Sequence, residues 1–278
     1  MKETTSAKEA YRRFFNTPSG VKYYHDFKDI LYTPADSLVQ TIDNLVLQHL
    51  SFANREHMRV CDIGGGDGRR INQILLYLHD KFHFTFDLDF VEQSKLYIET
   101  FRLGNNDKYV SANKIHSLFE HATLSSQYDL VFLIHSIFAF SNGNALDRVM
   151  DLATQGGTII IVSNSPQSFE AGLKRLVDEG YDEPRYEIDA LQRDLKDNKI
   201  DYSEKNFLTR WAIPKERYEA DINSIYQEIS LGSYNSFSNE KKKAISSYVE
   251  ENSRFDGSRR FFCEEETVLI IPQLVHEK

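Results

Sequence analysis

A glycine-rich turn between a short apolar segment and an amphipathic segment is the feature that most constrains how this chain can fold. The apolar segment runs from Met58 to Ile63, four glycines follow within Gly64–Gly68, and helical spacing of apolar residues resumes over Arg70–His79. A strand that passes into a helix through such a turn brings backbone close to a ligand at the carboxyl end of a parallel sheet. The sequence therefore predicts a strand, a glycine turn and a helix that together form a binding site.

The same unit repeats along the middle of the chain. Runs of strand length and composition are found at 82–88, 108–113, 128–134 and 158–162. Helical segments are predicted between them at 91–101 and 145–152. Strands that alternate with helices at this spacing predict an α/β fold with a mostly parallel sheet covered on both faces.

The two ends of the chain read differently from the middle. Helical periodicity before the sheet predicts an N-terminal helical cap over residues 1–50, which leaves 51–278 for the main domain. Further strands are expected within 200–211 and 266–271, as an antiparallel pair that closes one sheet edge. Helical patches between them predict a helical insertion on the substrate side at about 213–262.

The spacing of the glycines limits the ligand that the turn can hold. The dinucleotide fingerprint G-x-G-x-x-G/A, started from Gly64 or Gly66, requires Gly or Ala at a position where this chain has Arg69 or Ile71. No Gly-Lys-Ser/Thr follows, so a phosphate loop is disfavoured as well. A dinucleotide site and a turn that only joins strand to helix stay open as alternatives.

The spacing that does fit is an acidic residue followed by glycines at every second position, namely Asp62, Gly64, Gly66 and Gly68. This pattern resembles the first motif of class I S-adenosylmethionine-dependent methyltransferases. The resemblance implies a Rossmann-like class I methyltransferase sheet and S-adenosylmethionine as cofactor, with S-adenosylhomocysteine as product. It also implies that the loop holds the methionine part of the cofactor, with Asp62 near the ammonium group.

A carboxylate at the end of the second strand, about 20 residues after the glycines, would bind the ribose hydroxyls. Asp87, with Leu88 beside it, is predicted to fill this role because the strand is expected to end there. Asp89 is the alternative, although its place before the next predicted helix favours a capping role.

The class I resemblance implies further contacts after the third and fourth strands. His116 and Ser117 stand where that family contacts the adenine ring, and Ile134 and His135 flank the ring and the substrate entrance. His135 is a candidate catalytic base, with a structural hydrogen-bonding role as the alternative.

The chain as a whole also resembles the histamine N-methyltransferase family. The blocks that carry this resemblance are Tyr11–Asn16, Ile63–Gly68, Ile159–Ser165 and Phe261–Glu264. The resemblance implies a substrate pocket to which this chain contributes Tyr11, Phe138, Phe169 and Glu264. Two departures from the family pattern, at Ser19–Val21 and at Phe138-Ala139, disfavour histamine itself as the substrate.

Glu264 begins a run of three glutamates. It is a candidate anion or base for a cationic acceptor, and the alternative is that the run forms exposed charges at a strand edge. The predicted activity is N-methylation of a small amine, guanidine or imidazole compound. O-methylation of a small phenol or acid, and a non-catalytic binding module with the same fold, remain as alternatives.

Composition narrows the partners and the compartment. The formal charge of −9 and the absence of long basic clusters disfavour nucleic acid as a partner. The two cysteines, Cys61 and Cys263, lack the spacing of a disulfide framework or a metal site. No apolar run approaches the ~20 residues that span a bilayer, and the first residues lack an apolar signal core, so a cytoplasmic protein with no membrane partner is expected.

Overall fold

A computed structural model describes residues 6–32, 39, 56–124, 127–139, 144–178 and 185–273. The helical prediction for the N-terminal region lies, beyond Tyr32, outside the described residues except at position 39.

The described chain forms a single nine-stranded sheet. Its strands are β1 (Leu31–Tyr32), β2 (His57–Ile63), β3 (Thr85–Glu92), β4 (Val110–His116), β5 (Tyr128–Ile134), β6 (Ala153–Asn164), β7 (Ser203–Pro214), β8 (Ser253–Phe255) and β9 (Arg259–Pro272). The order across the sheet is β1-β7-β9-β6-β5-β2-β3-β4, and the short β8 pairs with β9 beside this path.

Helices surround this sheet. They are α1 (Ala7–Phe15), α2 (Pro18–Ile30), α3 (Arg69–Phe82), α4 (Lys95–Thr100), α5 (Asn144–Met150), α6 (Phe169–Asp178), α7 (Ile188–Asp197), α8 (Tyr218–Ile229) and α9 (Asn239–Glu251). The described helices include none that is long and apolar enough to cross a membrane.

Alternation along the central strands builds two core layers. On β2, Val60 points to the layer that includes Ile74 of α3, whereas Cys61 points to the opposite layer, which includes Leu146 of α5 and Leu191 of α7. Strands β2 to β6 are parallel where they pair, and burial on both faces explains their nearly continuous apolar runs. The prediction of a mostly parallel, doubly covered sheet is confirmed.

The closing antiparallel strands are present, but β9 is internal. It pairs with β6 on one side and with β7 on the other, antiparallel to both. The register places Asn164, the last residue of β6, opposite Glu266. Side chains from the middle of β9 therefore lie at the carboxyl end of the parallel strands.

Strand β3 continues four residues beyond the predicted end at Leu88. Its register with β2 runs without interruption from His57 opposite Thr85 to Ile63 opposite Val91. The prediction that Asp89 caps a helix is wrong, because its carboxylate accepts hydrogen bonds inside the sheet from Asn113 Nδ2, at 2.8 Å, and from the Tyr128 hydroxyl.

The N-terminal and C-terminal helices meet over the same edge of the sheet. Helix α2 packs against α8, and Ser224 Oγ donates to Asp26 Oδ2 at 3.3 Å between them. Helix α6 packs against both α9 and β9. The described helices of the N-terminal and C-terminal regions therefore contact each other, through α2 and α8.

Candidate functional site

The glycine turn leaves the end of β2 in a conformation that requires glycine. Gly64, Gly66 and Gly68 have φ of 71°, 58° and 75°, which L side chains rarely adopt. A Cβ at Gly64 would also lie 2.6 Å from Cβ of Ser136. The backbone N–H of Gly64 donates to Val91 O at 2.8 Å, so the turn is attached to the end of the neighbouring strand.

Glu92, the last residue of β3, is the acidic side chain that faces this turn. Its carboxylate accepts hydrogen bonds from the backbone N–H of Gly66 at 2.9 Å and of Ser94 at 2.7 Å. The side chain is buried, and burial raises its pKa against the lowering effect of these N–H donors. Glu92 thus holds the turn, and its side chain lines the cleft beside the turn.

Asp87 and Leu88 do not reach the turn. Asp87 is exposed, and its Oδ2 lies 3.0 Å from His57 Nε2, near the start of β2. Leu88 is buried in the core. Asp87 is separated from the glycine turn because β3 extends to Glu92, which leaves Asp87 away from the carboxyl edge of the sheet.

Asp62 lies where the glycine motif predicted, next to the turn. It is 2% exposed, and its Oδ1 has no hydrogen-bond partner among the described residues. Burial, together with repulsion from Glu92, raises the pKa of Asp62 to about 8. A buried carboxylate oxygen without a partner suits a cationic ligand group, because the ligand would supply the missing donor.

Three connected clefts lie along this edge of the sheet. Cleft A has an empty volume of about 510 Å³, open solvent included, and is lined by Tyr11, Phe15, Tyr24, Asp62, Gly64, Gly65, Gly66, Asp67, Arg70, Ile71, Glu92, Tyr97, Ile134 and His135. Cleft B, about 440 Å³, is lined by Tyr11, Arg12, Ile63, Gly64, Val91, Glu92, Gln93, Ser117, Leu118, Phe119, Glu120 and Ser136. Cleft C, about 410 Å³, is lined by Tyr24, Arg70, His135, Phe138, Asn164, Glu170, Trp211, Glu228, Glu264 and Glu266.

Shared lining residues show how the clefts connect. Clefts A and B share Glu92, and clefts A and C share Arg70 and His135. Of the two residues predicted at the adenine end, Ser117 lines cleft B, whereas the exposed His116 ring lies 3.0 Å from Gln93 O and does not line it. Clefts A and B therefore adjoin at Glu92, and Asp62 lines cleft A.

The run of glutamates on β9 is not an exposed edge. Glu264 and Glu266 are 1% and 2% exposed, since they occupy alternate positions of an internal strand. Glu264 accepts hydrogen bonds from Asn164 Nδ2 at 2.9 Å and from the Glu170 backbone N–H at 3.0 Å. Burial and the nearby Glu170 carboxylate raise the pKa of Glu264 to about 8.

Glu266 has the opposite environment. Its two carboxylate oxygens accept from Arg70 Nη1 at 3.1 Å and Nη2 at 3.3 Å, and His135 Nε2 lies 3.3 Å from Oε2. Burial alone would raise the pKa of Glu266, but Arg70 and His135 outweigh burial and hold it well below its ordinary value. The candidate base His135, which lines both clefts A and C, is therefore directed by a buried carboxylate that the sequence did not reveal.

The predicted substrate residues divide into two groups. Tyr11 and Phe138 have their ring centroids 4.7 Å apart, edge to face, and line the clefts. Phe169 is 4% exposed and packs against Trp211 and Phe262 in a third core cluster, so it does not line any of the three clefts. No group of three or more His, Cys, Asp or Glu in the described part of the chain could hold a metal ion.

Comparison with known proteins identifies the fold. No protein-family model and no curated protein matches the chain. Solved structures do: a Bacillus halodurans protein provisionally assigned as a methyltransferase has 13% identity and a TM-score of 0.55, and it covers 84% of this chain and 99% of its own. The plantazolicin methyltransferase BamL was solved with a triazolic desmethylPZN analogue and S-adenosylhomocysteine. It has 17% identity to this chain and a TM-score of 0.53, and the match covers 96% of this chain and 97% of BamL.

A third structure, from Galdieria sulphuraria and provisionally assigned as a sarcosine dimethylglycine methyltransferase, has 11% identity and a TM-score of 0.52 over 93% of this chain and 99% of its own. The chain has the Rossmann-like fold of these methyltransferases.

Proposed function

We propose that this protein is an S-adenosylmethionine-dependent methyltransferase that N-methylates a small amine, guanidine or imidazole compound. One observation carries the proposal: two buried carboxylates, Asp62 and Glu92, flank a glycine turn in cleft A. Neither forms an ion pair with a Lys or Arg in the described part of the chain. The fold and the bound S-adenosylhomocysteine of the BamL structure support the same cofactor here.

Each end of the cofactor has a matching group in the protein. The free oxygen of Asp62 suits the ammonium of the methionyl part, and Glu92 suits the ribose hydroxyls because a carboxylate can accept two hydrogen bonds. Cleft B, with Ser117, extends beyond Glu92 and would take the adenine. The cofactor supplies an activated methyl group, so the protein needs to align the acceptor and exclude water and needs no nucleophile of its own.

Cleft C would bind the acceptor. It joins cleft A at His135 and contains Glu264, whose carboxyl has only neutral hydrogen-bond donors around it in the described structure. A cationic nitrogen compound would supply a counter-charge to Glu264, and His135 is the candidate group to take a proton from the attacking nitrogen. These features favour N-methylation, the activity implied by the resemblance to the histamine N-methyltransferase family, over O-methylation.

The domain assignment belongs to the same proposal. Residues 1–50 would form the cap and 51–278 the methyltransferase domain, with the insertion at about 213–262 closing the acceptor side. In the described chain, Tyr11 and Tyr24 from the cap and Trp211 and Glu228 from near the insertion line these clefts. A non-catalytic module is disfavoured because the cofactor residues are intact and clefts A and C are connected.

Calorimetric titration with S-adenosylhomocysteine tests the proposal. We expect binding by the wild type and a loss of about 10- to 100-fold in Glu92→Gln, since hydrogen bonds to a charged group contribute ~1.5–3 kcal/mol. Asp87→Asn is the matched control, because it removes a carboxylate from the same strand at the far edge of the sheet, and its affinity should equal that of the wild type. Absence of binding by the wild type would refute the cofactor assignment.

Turnover would then be screened with labelled S-adenosylmethionine against small amines, guanidines, imidazoles and phenols. Methylation of a cationic nitrogen compound supports the acceptor class. Methylation of phenols alone would replace it with the O-methylation alternative.

A further inference from the structure

Four aromatic side chains cover the glycine turn, and the proposed cofactor does not by itself explain them. Tyr11 and Phe15 come from α1, Tyr24 from α2 and Tyr97 from α4, and all four line cleft A. Successive ring centroids lie 4.4 Å apart for Tyr11 and Phe15, 5.3 Å for Phe15 and Tyr24, and 5.7 Å for Tyr24 and Tyr97. We call these four residues the aromatic cage.

The cage lies directly over the turn and near its carboxylates. A Cβ built on Gly66 would be 3.6 Å from the Tyr24 hydroxyl, which places that hydroxyl beside the middle of the turn. Tyr97 is 2% exposed, and its hydroxyl has no hydrogen-bond partner among the described residues. Asp62 and Glu92 line the same cleft. Aromatic rings and buried carboxylates that line the same cleft form an environment that stabilises a cation better than a neutral group.

The covalent structure of the cofactor indicates which cation the cage meets. In S-adenosylmethionine the sulfonium joins the methionyl chain to the ribose. If Asp62 receives the ammonium and Glu92 the ribose, the sulfonium lies between them, within the cleft that the four rings line. The product S-adenosylhomocysteine has a neutral thioether at the same position.

We propose that Tyr11, Phe15, Tyr24 and Tyr97 form a cation-selective cage that binds the sulfonium of S-adenosylmethionine in preference to the neutral thioether of S-adenosylhomocysteine. This inference rests on the proposed function and adds to it a means of releasing the product, because transfer of the methyl group removes the charge that the cage stabilises. Burial raises the pKa values of Asp62 and Glu92, and the Arg70 guanidinium that also lines cleft A is paired with Glu266.

The test is the ratio of two dissociation constants, that for S-adenosylhomocysteine divided by that for S-adenosylmethionine, measured by calorimetry without an acceptor. Phe15→Leu and Tyr24→Leu should each lower this ratio about 5- to 30-fold, the range expected when a desolvated cation–π contact is lost. Tyr24→Phe keeps the ring and should keep the wild-type ratio. Sinefungin, which carries an ammonium in place of the sulfonium, should follow S-adenosylmethionine.

Phe14→Leu is the matched control, because Phe14 belongs to the same buried aromatic cluster, 5.1 Å from the Phe15 ring, but does not line cleft A. Its ratio should be that of the wild type even if its stability falls. Equal weakening of both ligands in Phe15→Leu and Tyr24→Leu would overturn the cage, as would a loss in Tyr24→Phe as large as in Tyr24→Leu. Failure of the wild type to bind either ligand would instead refute the proposed function.

Discussion

Clefts A and C both contain buried carboxylates, but they differ in how those charges are compensated. In cleft C, Glu266 is bound by Arg70, and Glu170 lies 2.5 Å from Lys174 Nζ. In cleft A, Asp62 and Glu92 meet backbone N–H groups or no partner at all among the described residues. The same residue type is thus satisfied by the protein in one cleft and left for a ligand in the other.

The contrast indicates what each cleft binds. Two carboxylates without an ion-pair partner among the described residues suit a ligand with cationic groups, such as the ammonium and sulfonium of the proposed cofactor. Besides Glu170, Glu228 and Glu266, cleft C contains the carboxyl of Glu264, which has a raised pKa and only neutral donors beside it in the described structure. Discrimination among acceptors would therefore depend on Glu264, while Glu170 and Glu266 serve the local architecture.

Removing a compensated carboxylate should have the largest effect. Glu266→Gln leaves the Arg70 guanidinium buried without its counter-charge, which costs about 3–5 kcal/mol in free energy of unfolding. Because the folded-state pKa of Glu266 lies below the unfolded value of about 4.3, its contribution is present above that pH and is lost as the pH falls. Urea denaturation at pH 7 and pH 4 should show the difference between wild type and variant shrinking in acid.

Glu265→Gln is the control for this measurement, because Glu265 is the neighbouring residue on the less buried face of β9. We expect its free energy of unfolding to stay within about 0.5 kcal/mol of the wild type. A loss in Glu265→Gln as large as in Glu266→Gln would mean that the glutamate run acts through net charge and that the two clefts are compensated alike.

The uncompensated carboxylate of cleft A should report on cofactor binding. With a pKa of about 8, Asp62 is mostly protonated at pH 7, and an incoming ammonium favours its ionised form, so binding should release up to one proton. Asp62→Asn should abolish this release and weaken binding about 10- to 100-fold. Calorimetry in buffers of different ionisation enthalpy measures the proton count, and wild-type binding without proton release would contradict the assignment.

The smallest effect on stability is expected from substitution of Glu264, whose carboxyl is already neutral at low pH. Burial raises its folded-state pKa to about 8, so its contribution to stability is full below the unfolded pKa of about 4.3 and is lost as the pH rises toward 8. Glu264→Gln removes this titration. The free energy of unfolding of the variant should gain about 1 kcal/mol relative to that of the wild type between pH 7 and pH 8, below the ceiling of about 1.4 kcal/mol per pH unit. Parallel pH profiles would show that Glu264 is compensated after all.

The sequence predicted the parts of this site that depend on local pattern. The run Tyr128–Ile134 is a strand with those same bounds, and the glycine turn follows β2 as expected. Glu92 was not predicted as a residue of the site, because the strand was expected to end before Asp89. Inside the sheet, Asn113 and Tyr128 from neighbouring strands satisfy Asp89, and no local pattern reveals partners that lie so far along the chain.

The ion pair between Arg70 and Glu266 was hidden for a related reason. Three consecutive glutamates are typical of a solvated surface, and only the order of strands shows that β9 lies between β6 and β7. The apolar residues that follow them, Val268–Ile271, were a signal for an internal strand, since both faces of that segment are apolar. Alternation along such a strand would have placed Glu264 and Glu266 on one face.

A surface contact also sets how this molecule would exchange its ligands. Arg12 Nη2 on α1 donates to Glu120 Oε1 at 2.9 Å, and both side chains line cleft B although they lie far apart in the sequence. Both are about 30% exposed, so dissolved salt screens their attraction. We expect a ligand bound in cleft B to leave faster at high ionic strength, because salt weakens the ion pair that lines this cleft. The residence time of the product would then respond to salt independently of the methyl-transfer step.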